Sequence, residues 1–232
     1  ILCSIPLLLL IGSEVWEEIG KAQQHEQLIA QSIELPEVVS TFPINLYDAN
    51  KDIFSEEYTE WSQPLALNEI PEIVKQLFIY SEDESFYNHI GFDVSAIARA
   101  FIANTSEQSI QQGGSTITQQ LVRMRYLSTD KTYERKLMEL FYAYELEKTY
   151  SKDEILEMYL NEMYFSNQVY GIGAAATYYF NRPLTKLSVA EIAFIAAIPN
   201  SPSLYDPIHH FENTKNRQER LIDKLSEHGA IT

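Results

Sequence analysis

Apolar residues recur at three- and four-residue spacing along most of this chain, and that spacing predicts helices. Ile70, Ile73, Val74, Leu77 and Phe78 form one such stripe from Asn68 onward. Phe92 to Ala103 reads as a second helix, and Thr116 to Tyr126, entered from Gly113-Gly114, as a third. Tyr133 to Tyr150 and Lys152 to Phe165 are two strong amphipathic stretches. Between them Ser151 is a natural N-cap, with Glu154 at the capping-box position. Ser188 to Ile198 is apolar enough to be buried and ends at Pro199; Asn213 to Glu227 is the last helix. An early pair of short strands is expected at Ile44–Tyr47 and Ile53-Phe54, with a turn at Asp48–Lys51. The expected fold is mainly α, with a small β element near its start.

The beginning of the chain follows another pattern. Ile1–Gly12 is apolar and uncharged. It is shorter than the ~20 residues that span a bilayer. It reads as the C-terminal end of a transmembrane anchor, with a cleaved signal peptide as the rival reading. No small-residue cleavage site of the A-x-A type follows it. Residues 13–41 are polar and acidic and read as a juxtamembrane stalk; Pro36 and Pro43 interrupt the pattern. Residues 42–232 then form the main domain.

Composition narrows the chemistry. The chain has 232 residues, 45% of them hydrophobic, which suits one globular domain. Its single cysteine, Cys3, excludes a disulfide within the chain and a cysteine-based metal site. The formal net charge of -16 argues against nucleic-acid binding and against adhesion to anionic lipid by charge alone. An anionic substrate must therefore be gripped by a local cluster of cations.

Three stretches carry candidate chemistry. Ser81-Glu82-Asp83-Glu84-Ser85-Phe86 puts three acids in a row beside aromatics. Consecutive helical residues point in different directions, so one or two of these acids can face a site, and the rest are solvated. A carboxylate beside aromatics suits a general acid or base; an exposed acidic helix end is the plain alternative. Gln112-Gly113-Gly114-Ser115-Thr116-Ile117-Thr118-Gln119-Gln120 joins two glycines to a helix N-terminus, which suits a phosphate or a sugar. It lacks the spacing of a Walker loop, and a capped glycine turn is the alternative. Arg123, Arg125, Lys131, Arg135 and Lys136 concentrate positive charge that could neutralise a diphosphate. Arg135 and Glu139 share a helix face, as they would in a simple surface ion pair too.

The order of these stretches resembles glycosyltransferase family 51, the glycosyltransferase domain of class A penicillin-binding proteins and the monofunctional peptidoglycan glycosyltransferases. Glu82-Asp83-x-x-Phe86-x-x-His89-x-Gly91 is similar to its first motif, and Gly113 to Leu121 is nearly identical to its second. Arg135-Lys136-x-x-Glu139 resembles the third, and Ile155-Leu156-Glu157-x-Tyr159-Leu160-Asn161-x-x-Tyr164-Phe165 the fourth. Arg217 to Leu225 is a looser match to the fifth, and Pro199-Asn200-x-Pro202-x-x-Tyr205-x-Pro207 is also like the family.

The resemblance implies a lysozyme-like glycosyltransferase fold with a membrane-associated lobe. It implies polymerisation of lipid II into β-1,4-linked glycan by inverting transfer from a lipid-diphosphate donor. Glu82 would be the general base, and Glu139 would assist the leaving diphosphate, directly or through water or a divalent cation (Mg or Mn). Arg123, Lys131 and Arg135 would neutralise the diphosphate, and Lys136 would bind substrate. Gly114, Ser115, Thr116, Gln119, Gln120 and Asn161 would line the substrate site, and Asp83, Phe86 and His89 would shape it. No organic cofactor is implied. Partners would be lipid II, the growing lipid-linked glycan, the membrane, a transpeptidase domain further along the full chain, and other cell-wall synthesis proteins. The catalytic domain would lie on the extracytoplasmic side of the cell membrane, held by a single-pass anchor. Arg123, Met124, Ser166 and Gln218 depart from the usual lysine, asparagine, glycine and arginine. A lysozyme-like glycan-cleaving enzyme and a silent scaffold of a cell-wall complex are the rival readings.

Overall fold

The computed structural model describes residues 44–48, 50–51, 53–57, 60–94, 114–127 and 133–231. The expected anchor and stalk, most of the helix expected from Phe92, Gly113 and Lys131 lie outside the described residues.

Two strands open the described chain. β1 (Ile44–Tyr47) pairs antiparallel with β2 (Ile53–Glu57), with Leu46 opposite Ser55. Asp48 shapes the turn: its Oδ1 accepts from Asn50 N at 2.8 Å and its carbonyl from Lys51 N at 3.1 Å. A second pairing was not expected from the sequence. β3 (Trp61–Ser62) runs parallel to β4 (Val169–Tyr170), each too short to show alternation.

Seven α-helices occur among the described residues. α1 (Glu72–Glu82) starts after Pro71, later than the stripe from Asn68 suggests. Proline tolerates the first turn but not a helix interior, so Leu67–Glu69 forms a separate 3-10 turn. α2 (Ile117–Tyr126) is capped by Thr116, and α4 (Lys152–Glu162) by Ser151 with Glu154 completing the box. α3 (Tyr133–Thr149) lies between them. α4 stops three residues short of the expected Phe165. There the chain turns back, Phe165 N donating to the Val169 carbonyl at 2.8 Å. Ser166, Asn167 and Gln168 make that turn with φ of 66°, 52° and 60°.

α5 (Ile172–Phe180) has no counterpart in the sequence reading. Ile172, Gly173, Ala174, Ala175 and Ala176 are all buried, so no polar face marks it. α6 (Val189–Ala196) is capped by Ser188 with Glu191, and α7 (Phe211–Glu227) closes the domain.

α2 packs on α3 and α4, while α1 lies against α6 and α7. Leu77, Ile117, Leu121, Leu146, Ile155 and Leu160 are fully buried between them. Each contributes about 1.5–3 kcal/mol by leaving water. One close approach fixes the loop after α1. Gly91 has φ 101°, and a Cβ there would lie 2.6 Å from the Ala143 carbonyl oxygen of α3. Among the described residues no helix is long and apolar enough to cross a membrane.

Candidate active site

α1 ends where the acid run begins. Asp83 leaves the helix with φ −159° and ψ 76°, which turns it away from Glu82. The two neighbours therefore enter different environments.

Asp83 points inward. Its Oδ2 accepts from Ile117 N at 3.0 Å and faces His89 Nε2 at 2.8 Å. Ile117 N is one of the donors that a helix start leaves open, so Asp83 caps α2 from another element. Gly91 N donates to His89 Nδ1 at 3.0 Å, which leaves the ring proton on Nε2, facing Asp83. Lys152 Nζ lies 3.2 Å from the same Nδ1, 2.7 Å from Glu147 Oε1 and 4.7 Å from the centre of the Phe86 ring. Thr118 Oγ1 donates to Glu147 at 2.6 Å. Burial pushes the Lys152 ammonium below its ordinary pKa, and Glu147 opposes that shift.

Glu82 points to the other side, half-buried. Gln120 Nε2 donates to its Oε2 at 3.2 Å, and Arg217 Nη2 approaches its Oε1 at 3.4 Å. Behind Gln120, the Tyr159 hydroxyl donates to Gln120 Oε1 at 3.2 Å. The Arg217 guanidinium lies over the Tyr205 ring, 5.4 Å from its centre.

Glu139 is fully buried on α3. A lone carboxylate there would be costly. Arg135 Nη1 donates to its Oε2 at 2.8 Å, and Lys136 Nζ contacts its Oε1. Lys136 also donates to Ser115 Oγ at 3.0 Å. The stretch from Ser115 to Gln120 thus touches Glu139's cations at one end and Glu82 at the other.

Thr116 and Gln119 close that stretch into a cap: Gln119 N donates to Thr116 Oγ1 at 3.1 Å, and Thr116 N to Gln119 Oε1 at 2.9 Å. Thr116 Oγ1 also donates to the Gly91 carbonyl at 2.6 Å. Three residues expected to meet substrate or shape its site take internal positions. Gln119 is fully buried in the α2 cap. Phe86 is fully buried in the core. Asn161 clamps Leu65, accepting from its N at 2.9 Å and donating to its carbonyl at 2.8 Å. Gln119 Oε1 and the Asn161 amide are engaged by the backbone of the protein itself, while Gln119 Nε2 is buried without a hydrogen-bond partner among the described residues. Thr116 is likewise buried, whereas Gly114, Ser115 and Gln120 are half-buried and Arg123 is exposed.

Sequence reasoning passed over Arg217, Tyr159, Glu147 and Lys152 as site residues. Arg217 lies 135 positions from Glu82, and only its place in the looser fifth motif hinted at it. Tyr159 and Lys152 stood within or beside a quoted motif, but a motif does not say which way a side chain faces. No group of three His, Cys, Asp or Glu side chains suited to a metal occurs among the described residues. Glu139, faced by two cations, belongs to a donor set that fits an anion better than a divalent ion.

Residues 50–226 match the family profile described as Transglycosylase. The chain is 46% identical over 234 residues to penicillin-binding protein 4 of Bacillus subtilis (strain 168), covering 100% of this chain and 38% of that protein. It is 44% identical over 187 residues to penicillin-binding protein 1F of the same organism, covering 81% of this chain and 26% of that protein. The crystal structure of penicillin-binding protein 1A from Haemophilus influenzae aligns with a TM-score of 0.49 at 18% identity, over 84% of this chain and 20% of that one. The chain thus spans well under half the length of the curated relatives it matches.

Proposed function

The chain belongs to the transglycosylase family, and from that premise we propose that it is a peptidoglycan glycosyltransferase that polymerises lipid II into β-1,4-linked strands. The observation that carries this reading is the contrast between two carboxylates. Glu82 is half-buried and held by one amide and one guanidinium, while Glu139 is sealed between Arg135 and Lys136. Carboxylates in such different surroundings take different roles.

Glu82 acts as the general base. It takes the proton of the acceptor 4-hydroxyl as that oxygen attacks C1 of the donor sugar. The bond from C1 to the diphosphate oxygen breaks with inversion, and its electron pair leaves with the diphosphate. Charge develops on that leaving group, and fixed cations stabilise it best when they need no rearrangement. Arg135 and Lys136 serve here, with exposed Arg123 and, by resemblance, Lys131 adding to the field. Glu139 holds the first two in place. Lysozyme-like architecture, a membrane-associated lobe, a single-pass anchor and an extracytoplasmic site belong to the same reading. So do lipid-linked glycan, a transpeptidase domain and other cell-wall proteins as partners.

Incubation with labelled lipid II in detergent, followed by gel separation, tests the proposal. Lysozyme-sensitive polymer should form and fall by roughly 10²–10⁴-fold in Glu82→Gln, the range for losing a general base. Intact lipid II would favour a scaffold; shortening of pre-formed glycan would favour a hydrolase.

A further inference from the structure

Gln120 carries an amide whose two ends face different partners. Its Nε2 donates to Glu82 Oε2 at 3.2 Å, and its Oε1 accepts from Tyr159 at 3.2 Å. Tyr159 is buried, with 2% of its surface exposed, and its ring packs edge-on against Phe78 with centroids 6.2 Å apart. Its hydroxyl is therefore fixed in place. We propose that Tyr159 and Gln120 form a positioning relay for the base, in which the Tyr159 hydroxyl sets the Gln120 amide so that its NH₂ faces the Glu82 carboxylate. This inference rests on the reading of Glu82 as the base.

The reasoning concerns orientation. An amide rotated by half a turn would set Oε1 against an ionised carboxylate, acceptor against acceptor. The Tyr159 hydroxyl rewards the productive orientation by donating to Oε1. Burial raises the Tyr159 hydroxyl well above its ordinary pKa, so it keeps its proton at neutral pH. Gln120 comes from α2, Tyr159 from α4 and Arg217 from α7, so three elements converge on one carboxylate. Among the described residues, Asp83, next in the chain, and Arg123 also place charge near this cluster, both acting on Tyr159. Gln120 thus acts through Glu82 and is not a group that reads the sugar.

The sign of the effect follows. A donor to a carboxylate favours its ionised form, so losing that donor raises the pKa of Glu82. Tyr159→Phe keeps the ring and removes the hydroxyl. Gln120→Met keeps a straight helix-forming side chain and removes the amide. In both, ¹³C NMR titration of the Glu82 carboxylate should show a pKa raised by about one unit. The acid limb of the kcat profile should move up with it. kcat below that limb should fall roughly tenfold, while KM for lipid II stays within about twofold. The double variant should shift Glu82 no further than Gln120→Met alone, because Tyr159 acts through Gln120.

A Glu82 pKa that stays put in both variants overturns the relay. So does an additive shift in the double variant, or a raised KM at unchanged kcat, which would make Gln120 a substrate contact. Polymer formation that survives Glu82→Gln would instead overturn the base reading. The NMR titration separates the two failures, because it follows the carboxylate whether or not the chain turns over.

Discussion

The backbone amide of Ile117 donates to Asp83 Oδ2 across 3.0 Å, joining the end of α1 to the start of α2. The two helices that carry Glu82 and Gln120 are thus fixed to each other by a residue that takes no part in proton transfer. Asp83→Ala would leave both the Ile117 amide and the His89 ring N–H without an acceptor. The expected loss is about 2–6 kcal/mol, from two buried donors at ~1–3 each. Urea denaturation measures it, and Asp83→Asn, which retains one acceptor, should lose less.

Glu139 gives a prediction that separates stability from activity. Arg135→Met would strand a fully buried carboxylate with Lys136, whose side chain is 40% exposed, as its remaining cation in the pair. A loss of about 3 kcal/mol is expected for breaking such a buried pair. Adding Glu139→Gln should restore much of the stability, because the stranded charge is gone. Activity on lipid II should not return. Thermal melting and the gel assay on the same samples distinguish the two effects.

Ser166 has φ 66°, a region where a side chain is strained and glycine is not. Ser166→Gly relieves that strain but loosens the unfolded chain. The net stabilisation should be about 0.5–1 kcal/mol. A higher urea midpoint with an unchanged slope is the expected observation.

Asp206 sets a pH dependence. Burial pushes its carboxyl up, but bonds with His209, the Ile208 amide and Asn167 together bring it below its ordinary 3.8. Its folded pKa is depressed, so its contribution is complete above the unfolded value of 3.8 and is lost as pH falls through the folded value. Asp206→Asn should lower stability at neutral pH and flatten the acid side of the stability profile. Melting temperatures taken downward from pH 5 would show it.

Helix starts were the most legible part of the fold. Thr116, Ser151 and Ser188 mark α2, α4 and α6 because a cap is a local bond between near neighbours. α5 was hidden because burial on all sides removes the periodicity that reveals a helix. β3 and β4 were hidden because two residues cannot alternate visibly. The site divides in the same way. Ser115, Arg135, Lys136 and Glu139 stand out by residue type and spacing, whereas Glu82 is singled out from its acidic neighbours only by the family resemblance. Gln119 and Asn161 could not be recognised as internal, because a cap and a backbone clamp use the same amides as a sugar site. Arg217 was illegible because its partner is set by the packing of α7 on α1.

The clasp between β3 and β4 has a kinetic consequence. Trp61 pairs with Val169, the Asn161 side chain holds Leu65, and Leu67 N donates to Glu157 Oε2 at 2.6 Å. Three contacts thus close one excursion of the chain, and Glu82, Gln120 and Glu139 all lie inside it. Closing a loop of about a hundred residues costs entropy before any contact within it is rewarded, but the cost grows only with the logarithm of its length. Refolding should therefore wait on this distant closure rather than on helix formation. A single backbone cut between the two carboxylates would open a ring whose ends remain held, leaving two fragments with the means to reassemble.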